Sequence, residues 1–284
     1  YDTEVLIRAN ASKATGVGHV FRSATLATGF ASEGKSVALR GSGLLRLAPL
    51  LDIDATVRII ETNENLDSSE DVAAMLSLRP RLIVVDGYGF DENYFQLLDS
   101  AGVPYAVFDD NGESRATNPS ALINQNVFSA LPNYSRFSGS TELLLGPAFA
   151  QVRSAIRKLR NTAVGDGGTI LLSLGGTDPG DFAKGLVSEL IPLGIPLAVA
   201  RGFHPETEVP PATWATNPNL SLVQPDTFPA ALHSAGCAVL AAGTSVWEAA
   251  TLGIPVIALV LFENQAAVAQ TAAELRVATA VIDC

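Results

Sequence analysis

Basic residues are scarce in this chain: 18 Lys and Arg stand against 29 Asp and Glu in 284 residues, a formal net charge of -11. A broad nucleic-acid surface needs clustered Lys and Arg, so nucleic acid is excluded as a partner. A small anionic ligand is not excluded, because a few backbone N–H groups and one arginine can hold it. Cysteine is scarcer still, with only Cys237 and Cys284. Neither has a partner at metal-ligand spacing, and two cysteines make no disulfide framework, so both read as free thiols in a reducing cytoplasm. Long apolar runs are also missing. No stretch reaches the roughly 20 residues of a membrane helix, and no charged-then-apolar signal opens the chain. A cytoplasmic protein without membrane insertion is expected. The first residue is Tyr1 rather than Met, which reads as a processed or trimmed chain.

What the chain does have is apolar character, 48% of residues, with 24 glycines spread along its length. That composition is globular. Short apolar runs alternate with helical stretches. VLIRA (5–9), SVALR (36–40), ATVRII (55–60), RLIVVD (81–86) and PYAVFDD (104–110) read as buried strands. Helices are expected over about 19–32, 68–77 and 91–100. A segment around 147–168 opens on Gly-Pro, carries the basic stretch RSAIRKLR, and closes on VGDGG. It reads as a short helix with a flexible linker. A second alternating series follows, with TILLSLGG (169–176), IPLAVA (195–200), LSLV (220–223), CAVLAAG (237–243) and IPVIALV (254–260). The expectation is α/β: two Rossmann-like domains, 1–146 and 169–284, with mostly parallel sheets facing a central cleft. Ligands of such folds bind at the carboxyl ends of the strands.

The loops at those strand ends hold the candidate chemistry. Gly16 and Gly18 lie between the first strand and helix, where glycine permits a tight turn and close approach to an anion. A dinucleotide fingerprint needs another glycine where Phe21 stands, and an acid where Arg40 stands, so NAD is excluded. His19 follows at the loop-to-helix junction. It is one of three histidines, and two readings stay open: a general base or a residue that caps the helix. Arg22, one turn later, pairs with a carboxylate or phosphate, or is solvated. Asp86, Gly87 and Tyr88 end a strand. Asp86 serves as acid or base, or accepts from loop amides. Asp109, Asp110 and Asn111 end another, where turn formation competes with function. Asn124 and Asn126 offer amide contacts.

In the second half Gly175, Gly176 and Thr177 lead from a strand into a helix. Gly243, Thr244, Ser245 and Glu248 do the same. Amides and hydroxyls there suit a diphosphate, and a carboxylate one turn on suits the two hydroxyls of a ribose. A nucleophile elbow is excluded, because it requires glycine where Trp247 stands. Asn264 and Gln265 close the next strand and either bind sugar hydroxyls or start a helix.

Taken in order, IRANASKATGVGHVFRSATLA, VVDGYGFDENYF, FDDN, LINQN, LLGPAFAQVR, LSLGGTD, AAGTSVWEAATLGIPVI and ENQ resemble one family. It is the hydrolase of pseudaminic acid biosynthesis that cleaves UDP-2,4-diacetamido-2,4,6-trideoxy-β-L-altropyranose, together with related spore-coat polysaccharide proteins. The family pattern often carries an acid where Asn111 stands. The resemblance implies a GT-B architecture and a UDP-sugar substrate, with neither metal nor cofactor. It implies that His19 activates water at the anomeric carbon, with Gly16, Gly18, Arg22, Tyr88, Asn264 and Gln265 around the sugar. The nucleotide would lie on Gly175, Gly176, Gly243, Thr244, Ser245 and Glu248. The expected function is a UDP-sugar hydrolase. The alternatives are a GT-B glycosyltransferase using the same donor, and a non-catalytic UDP-sugar binding module.

Overall fold

The computed structural model describes residues 3–11, 17–63, 68–127, 132–137, 139–162, 167–175, 182–200, 214 and 216–283. The chain divides into two compact units, Tyr1–Gln151 and Val152–Cys284. Each is built on one sheet whose strands all pair in parallel.

In the first unit the strands are β1 (Val5–Ala9), β2 (Val37–Gly41), β3 (Arg58–Glu61), β4 (Leu82–Asp86), β5 (Tyr105–Phe108), β6 (Ala121–Asn124) and β7 (Glu142–Leu145). Their order across the sheet is β3-β2-β1-β4-β5-β6-β7. The order reverses between β1 and β4, which makes that edge the topological switch point. Helices α1 (Gly18–Ser32), α2 (Leu44–Leu47), α3 (Ser68–Ser77) and α4 (Glu92–Ala101) connect the strands. β1 and β2 are buried at every position, as strands covered on both faces must be. One face packs Leu6, Ile83, Val85 and Val107 against Met75, Phe95 and Leu98, from α3 and α4. On α1, Val20, Ala24 and Ala27 recur at helical spacing and are fully or almost fully buried. α4 starts because Asp91 accepts from Tyr94 N at 2.8 Å and stops at Gly102 in the left-handed region.

The second unit has α5 (Ser154–Leu159), β8 (Ile170–Ser173), α6 (Phe182–Leu190), β9 (Leu197–Ala200), β10 (Leu220–Val223), α7 (Phe228–Ser234), β11 (Cys237–Ala241), α8 (Thr244–Leu252), β12 (Val256–Val260), α9 (Ala266–Glu274) and β13 (Ala278–Asp283). The strand order is β10-β9-β8-β11-β12-β13, the same winding, with the switch between β8 and β11. Leu172, Leu197, Val199, Val239 and Leu259 form its core. α5, which lies in the stretch expected as linker, packs on α7 and α8 of this unit. Cys237 heads β11 as a free thiol. No helix of the described residues is long and apolar enough to cross a membrane.

Two glycines separate backbone fit from backbone freedom. A Cβ on Gly41 would lie 1.5 Å from the Ala9 carbonyl oxygen, whereas one on Gly29 within α1 meets nothing within 4 Å. Gly41→Ala is expected to destabilise the fold by about 3 kcal/mol through overpacking. Gly29→Ala is expected to stabilise it by about 0.5–1 kcal/mol through helix propensity. Urea midpoints of both variants against the parent check the pair.

Candidate active site

The first cluster forms at the β1/β4 switch point. His19, Arg22 and Ser23 fall three and four residues apart, so α1 presents them on one face. Asp86, the last residue of β4, meets that face with 0% exposure. It accepts from Arg22 Nε at 2.8 Å, Arg22 Nη2 at 2.6 Å and Ser23 Oγ at 2.9 Å, and pairs with His19 Nδ1 at 2.9 Å. Arg22 Nη1 donates to Asp110 Oδ1 at 2.7 Å, and Asn126 Nδ2 donates to the same oxygen at 2.9 Å. The Arg22 guanidinium lies 4.4 Å from the Phe108 ring centroid. Burial pushes the Asp86 carboxyl up, but Arg22 and His19 outweigh it and hold the group well below the usual carboxylate range. Burial likewise works against the Arg22 charge, and Asp110 and Asp86 more than restore it.

These contacts fix the imidazole's tautomer. Arginine only donates and ionised aspartate only accepts. Arg22 Nη2 lies 3.1 Å from His19 Nδ1 but is directed at Asp86 at 2.6 Å. Nδ1 therefore carries the proton that Asp86 accepts, and Nε2 is the nitrogen left to exchange a proton with a ligand. Tyr88 meets the His19 ring edge-on, with centroids 4.8 Å apart, and is 40% exposed. Its neighbours Gly87 and Gly89 have φ of 139° and 89°, a backbone that only glycine adopts without strain. Gly18 opens α1, exposed, while Gly16 lies outside the described residues.

The neighbouring acids separate by role. Asp109 accepts from Glu113 N at 3.0 Å and builds the turn. Its Oδ2 is buried without a hydrogen bond. Burial raises its pKa against the amides of Ser114, Glu113, Gly112 and Asn111. Asn124 is structural: its amide donates to Tyr134 Oη at 2.9 Å and its Oδ1 accepts from Asn126 N at 2.9 Å.

In the second unit, β11 leads into α8 at its own switch point. Gly243 precedes the helix in extended conformation, and no side chain caps its N-terminus. Gly243, Thr244 and Ser245 thus surround helix-start amides that carry partial positive charge. Glu248, one turn on, is 2% exposed. Both its oxygens are engaged: Arg153 Nε and Nη2 donate at 2.6 Å each. Arg153 precedes α5 and lies 5.0 Å from the Phe228 ring centroid. Sequence reading places it in a linker, and only its basic neighbourhood signals it. Gly175 follows β8 with φ 82° and open space where a Cβ would stand. Gly176 and Thr177 lie outside the described residues. Glu263–Gln265 form a short 3-10 turn in which Asn264 is exposed, while Gln265 Oε1 accepts from Leu261 N at 2.8 Å. Among the described residues no three His, Cys, Asp or Glu side chains gather to hold a metal ion.

No protein-family profile and no curated protein sequence matches the chain. Solved structures do. MurG of Acinetobacter baumannii superposes with a TM-score of 0.61 at 15% identity, over 99% of this chain and 86% of that one. UGT2 of Phytolacca americana, complexed with UDP-2-fluoro-glucose and pterostilbene, gives 0.64 at 14% identity, over 99% and 85%. The calicheamicin glycosyltransferase CalG4 gives 0.60 at 15%, over 100% and 86%. The fold is GT-B. These GT-B neighbours overturn the sugar-hydrolase reading, since they are glycosyltransferases and the pseudaminic acid hydrolase family finds no support among them. The physical reason is plain. Donor loops and a base serve attack by water and by an acceptor hydroxyl alike, so residues that hold the donor do not report the nucleophile.

Two carboxylates of this site should respond oppositely to pH. Asp86, with its pKa lowered, contributes stability that is present above the unfolded value and lost as pH falls. Asp86→Asn is expected to cost about 3–5 kcal/mol at pH 7, because it leaves Arg22 short of a counter-charge. Asp109, with its pKa raised, favours folding at low pH and loses that contribution as pH rises. Asp109→Asn is expected to raise Tm at pH 8 and to change it little at pH 4. Calorimetry across that range checks both signs.

Proposed function

We propose that this protein is a glycosyltransferase that passes a sugar from a UDP-sugar donor to an acceptor hydroxyl, acting in the cytoplasm. The observation that carries the reading is the buried His19–Asp86 pair at the switch point of the first unit. It engages Nδ1 and leaves Nε2 outside the pair, on a ring that meets exposed Tyr88 edge-on. His19 Nε2 takes the proton of the acceptor hydroxyl as that oxygen bonds to the anomeric carbon. The bond from that carbon to the diphosphate oxygen breaks, and UDP leaves with the electron pair. Asp86 stabilises the imidazolium that forms, in the manner of a His–Asp dyad. Arg22 keeps Asp86 ionised and in place.

The second unit supplies the donor-binding groups in this reading. Gly243, Thr244 and Ser245 at the start of α8, with Gly175, receive the diphosphate. Glu248 accepts from the ribose hydroxyls with oxygen lone pairs that Arg153 leaves over. Arg153 joins this set from its geometry, as a cation held beside both the ribose and diphosphate positions. Asn264 and Gln265 contact the donor sugar.

The test is a panel of UDP-sugars with and without hydroxyl acceptors, followed by NMR for UDP and product. Acceptor-dependent release of UDP is expected. In folded His19→Asn, kcat is expected to fall by about 10²–10⁴-fold while UDP affinity holds. Glu248→Gln is expected to weaken UDP binding instead. UDP release that no acceptor accelerates overturns the transferase assignment, and full activity in His19→Asn overturns the assigned base.

A further inference from the structure

The first unit carries a second buried charged cluster, on the sheet face opposite α1. Arg8 on β1 and Arg40 on β2 are register partners, so their side chains leave the sheet side by side. Both reach Asp71 in the first turn of α3. Arg8 Nε donates to Oδ2 at 2.7 Å, and Arg40 Nη1 donates to Oδ1. Arg8 Nη1 donates to Asn10 Oδ1, and the Tyr94 hydroxyl donates to Asp71 Oδ2 at 3.2 Å. Phe90 lies against Arg8, 5.6 Å from ring centroid to guanidinium. The mechanism above uses none of these groups.

Among the described residues the charges in this cluster do not cancel. Two guanidiniums face one carboxylate, and among the described residues no other acid pairs with either arginine. Tyr94 cannot supply the missing negative charge, because burial and Asp71 push its hydroxyl far above the ordinary range. A buried charge without a partner is costly. The donors are also in excess. Arg40 commits one of its three nitrogens and Arg8 two. The side chains are 6% and 4% exposed, so little more than the guanidinium tips can meet solvent.

A separate observation lies beside them. Arg40 pairs in register with Ile60 on β3, so Thr62 continues the same face one step nearer the carboxyl edge. Its Oγ1 is buried and makes no hydrogen bond with any described residue.

We propose that Arg8, Arg40 and Thr62 form an oxyanion-binding site at the carboxyl edge of β1–β3, taking one carboxylate or phosphate group. The planar guanidinium forks suit either oxyanion, the Thr62 hydroxyl donates the further hydrogen bond, and a single negative charge balances the cluster. The oxyanion arrives either on a hydroxyl-bearing substrate or as a free ion.

The experiment uses the full chain without donor or acceptor, so its outcome is independent of whether transfer occurs. Arginine Nε–H resonances, assigned through their own backbone, are followed by NMR during titration with inorganic phosphate and then with glycerol 3-phosphate. Saturable shifts of Arg8 and Arg40 are expected, with phosphate affinity about tenfold weaker in the near-isosteric Thr62→Val. Tighter binding of glycerol 3-phosphate than of phosphate marks a substrate-borne group, and the reverse marks a free ion. If neither resonance moves across the phosphate titration, the cluster is closed on itself and the site does not exist.

Discussion

The arrangement of the first unit depends on one buried carboxylate. Asp86 ends β4 with no solvent, and its charge is tolerable only because α1 brings three donors to it. Arg22 then carries the network on to Asp110 beyond β5, and Asn126 beyond β6 holds Asp110. Four separate stretches of chain are thereby tied to one atom group. Such networks add little net stability against an apolar replacement, but breaking one member is costly. Their effect is on geometry: the rotation of α1 and the orientation of the His19 ring follow from satisfying Asp86.

The winding of the sheets decides where this is possible. In both units the strand order turns at the fourth strand, which leaves an edge where two loops depart in opposite directions. His19 and Asp86 flank that edge in the first unit. Gly175 and Gly243 flank it in the second. The two faces of the first sheet are used differently, with Asp86, Asp110 and Arg22 under α1 and Arg8, Arg40 and Asp71 under α3 and α4.

Much of this was legible in the sequence, for physical reasons. Strands buried on both faces are continuous apolar runs, so β1, β2, β4, β5, β11 and β12 stand out. β7 does not, because its apolar run is only the three leucines Leu143, Leu144 and Leu145 behind Glu142, too short to tell from a loop. The loops at the strand ends were legible from glycines and polar residues in their place in the alternation. Which polar residue does what was not. Asp109 and Asp110 are adjacent and look alike, yet one builds a turn and the other anchors Arg22, because both lie past the end of β5, where strand alternation no longer sets which way a side chain faces. Arg153 and Glu248 are 95 residues apart, and nothing local announces their pairing. The nucleophile was illegible for a different reason, since a base and anion-binding loops serve water and a hydroxyl alike.

The pairing of Glu248 with Arg153 has a consequence for how a nucleotide would be received. A carboxylate held bidentately by a guanidinium cannot swing among rotamers, so the ordering entropy of that contact is lost when the chain folds rather than when the ligand arrives. Buried as it is, the pair is also shielded from salt. A neutral diol approaching it meets acceptors already oriented and a charge already compensated. On the proposed reading, recognition of the ribose would then be a matter of shape and hydrogen-bond direction, insensitive to ionic strength, while the anionic part of the ligand would be the part that salt can weaken.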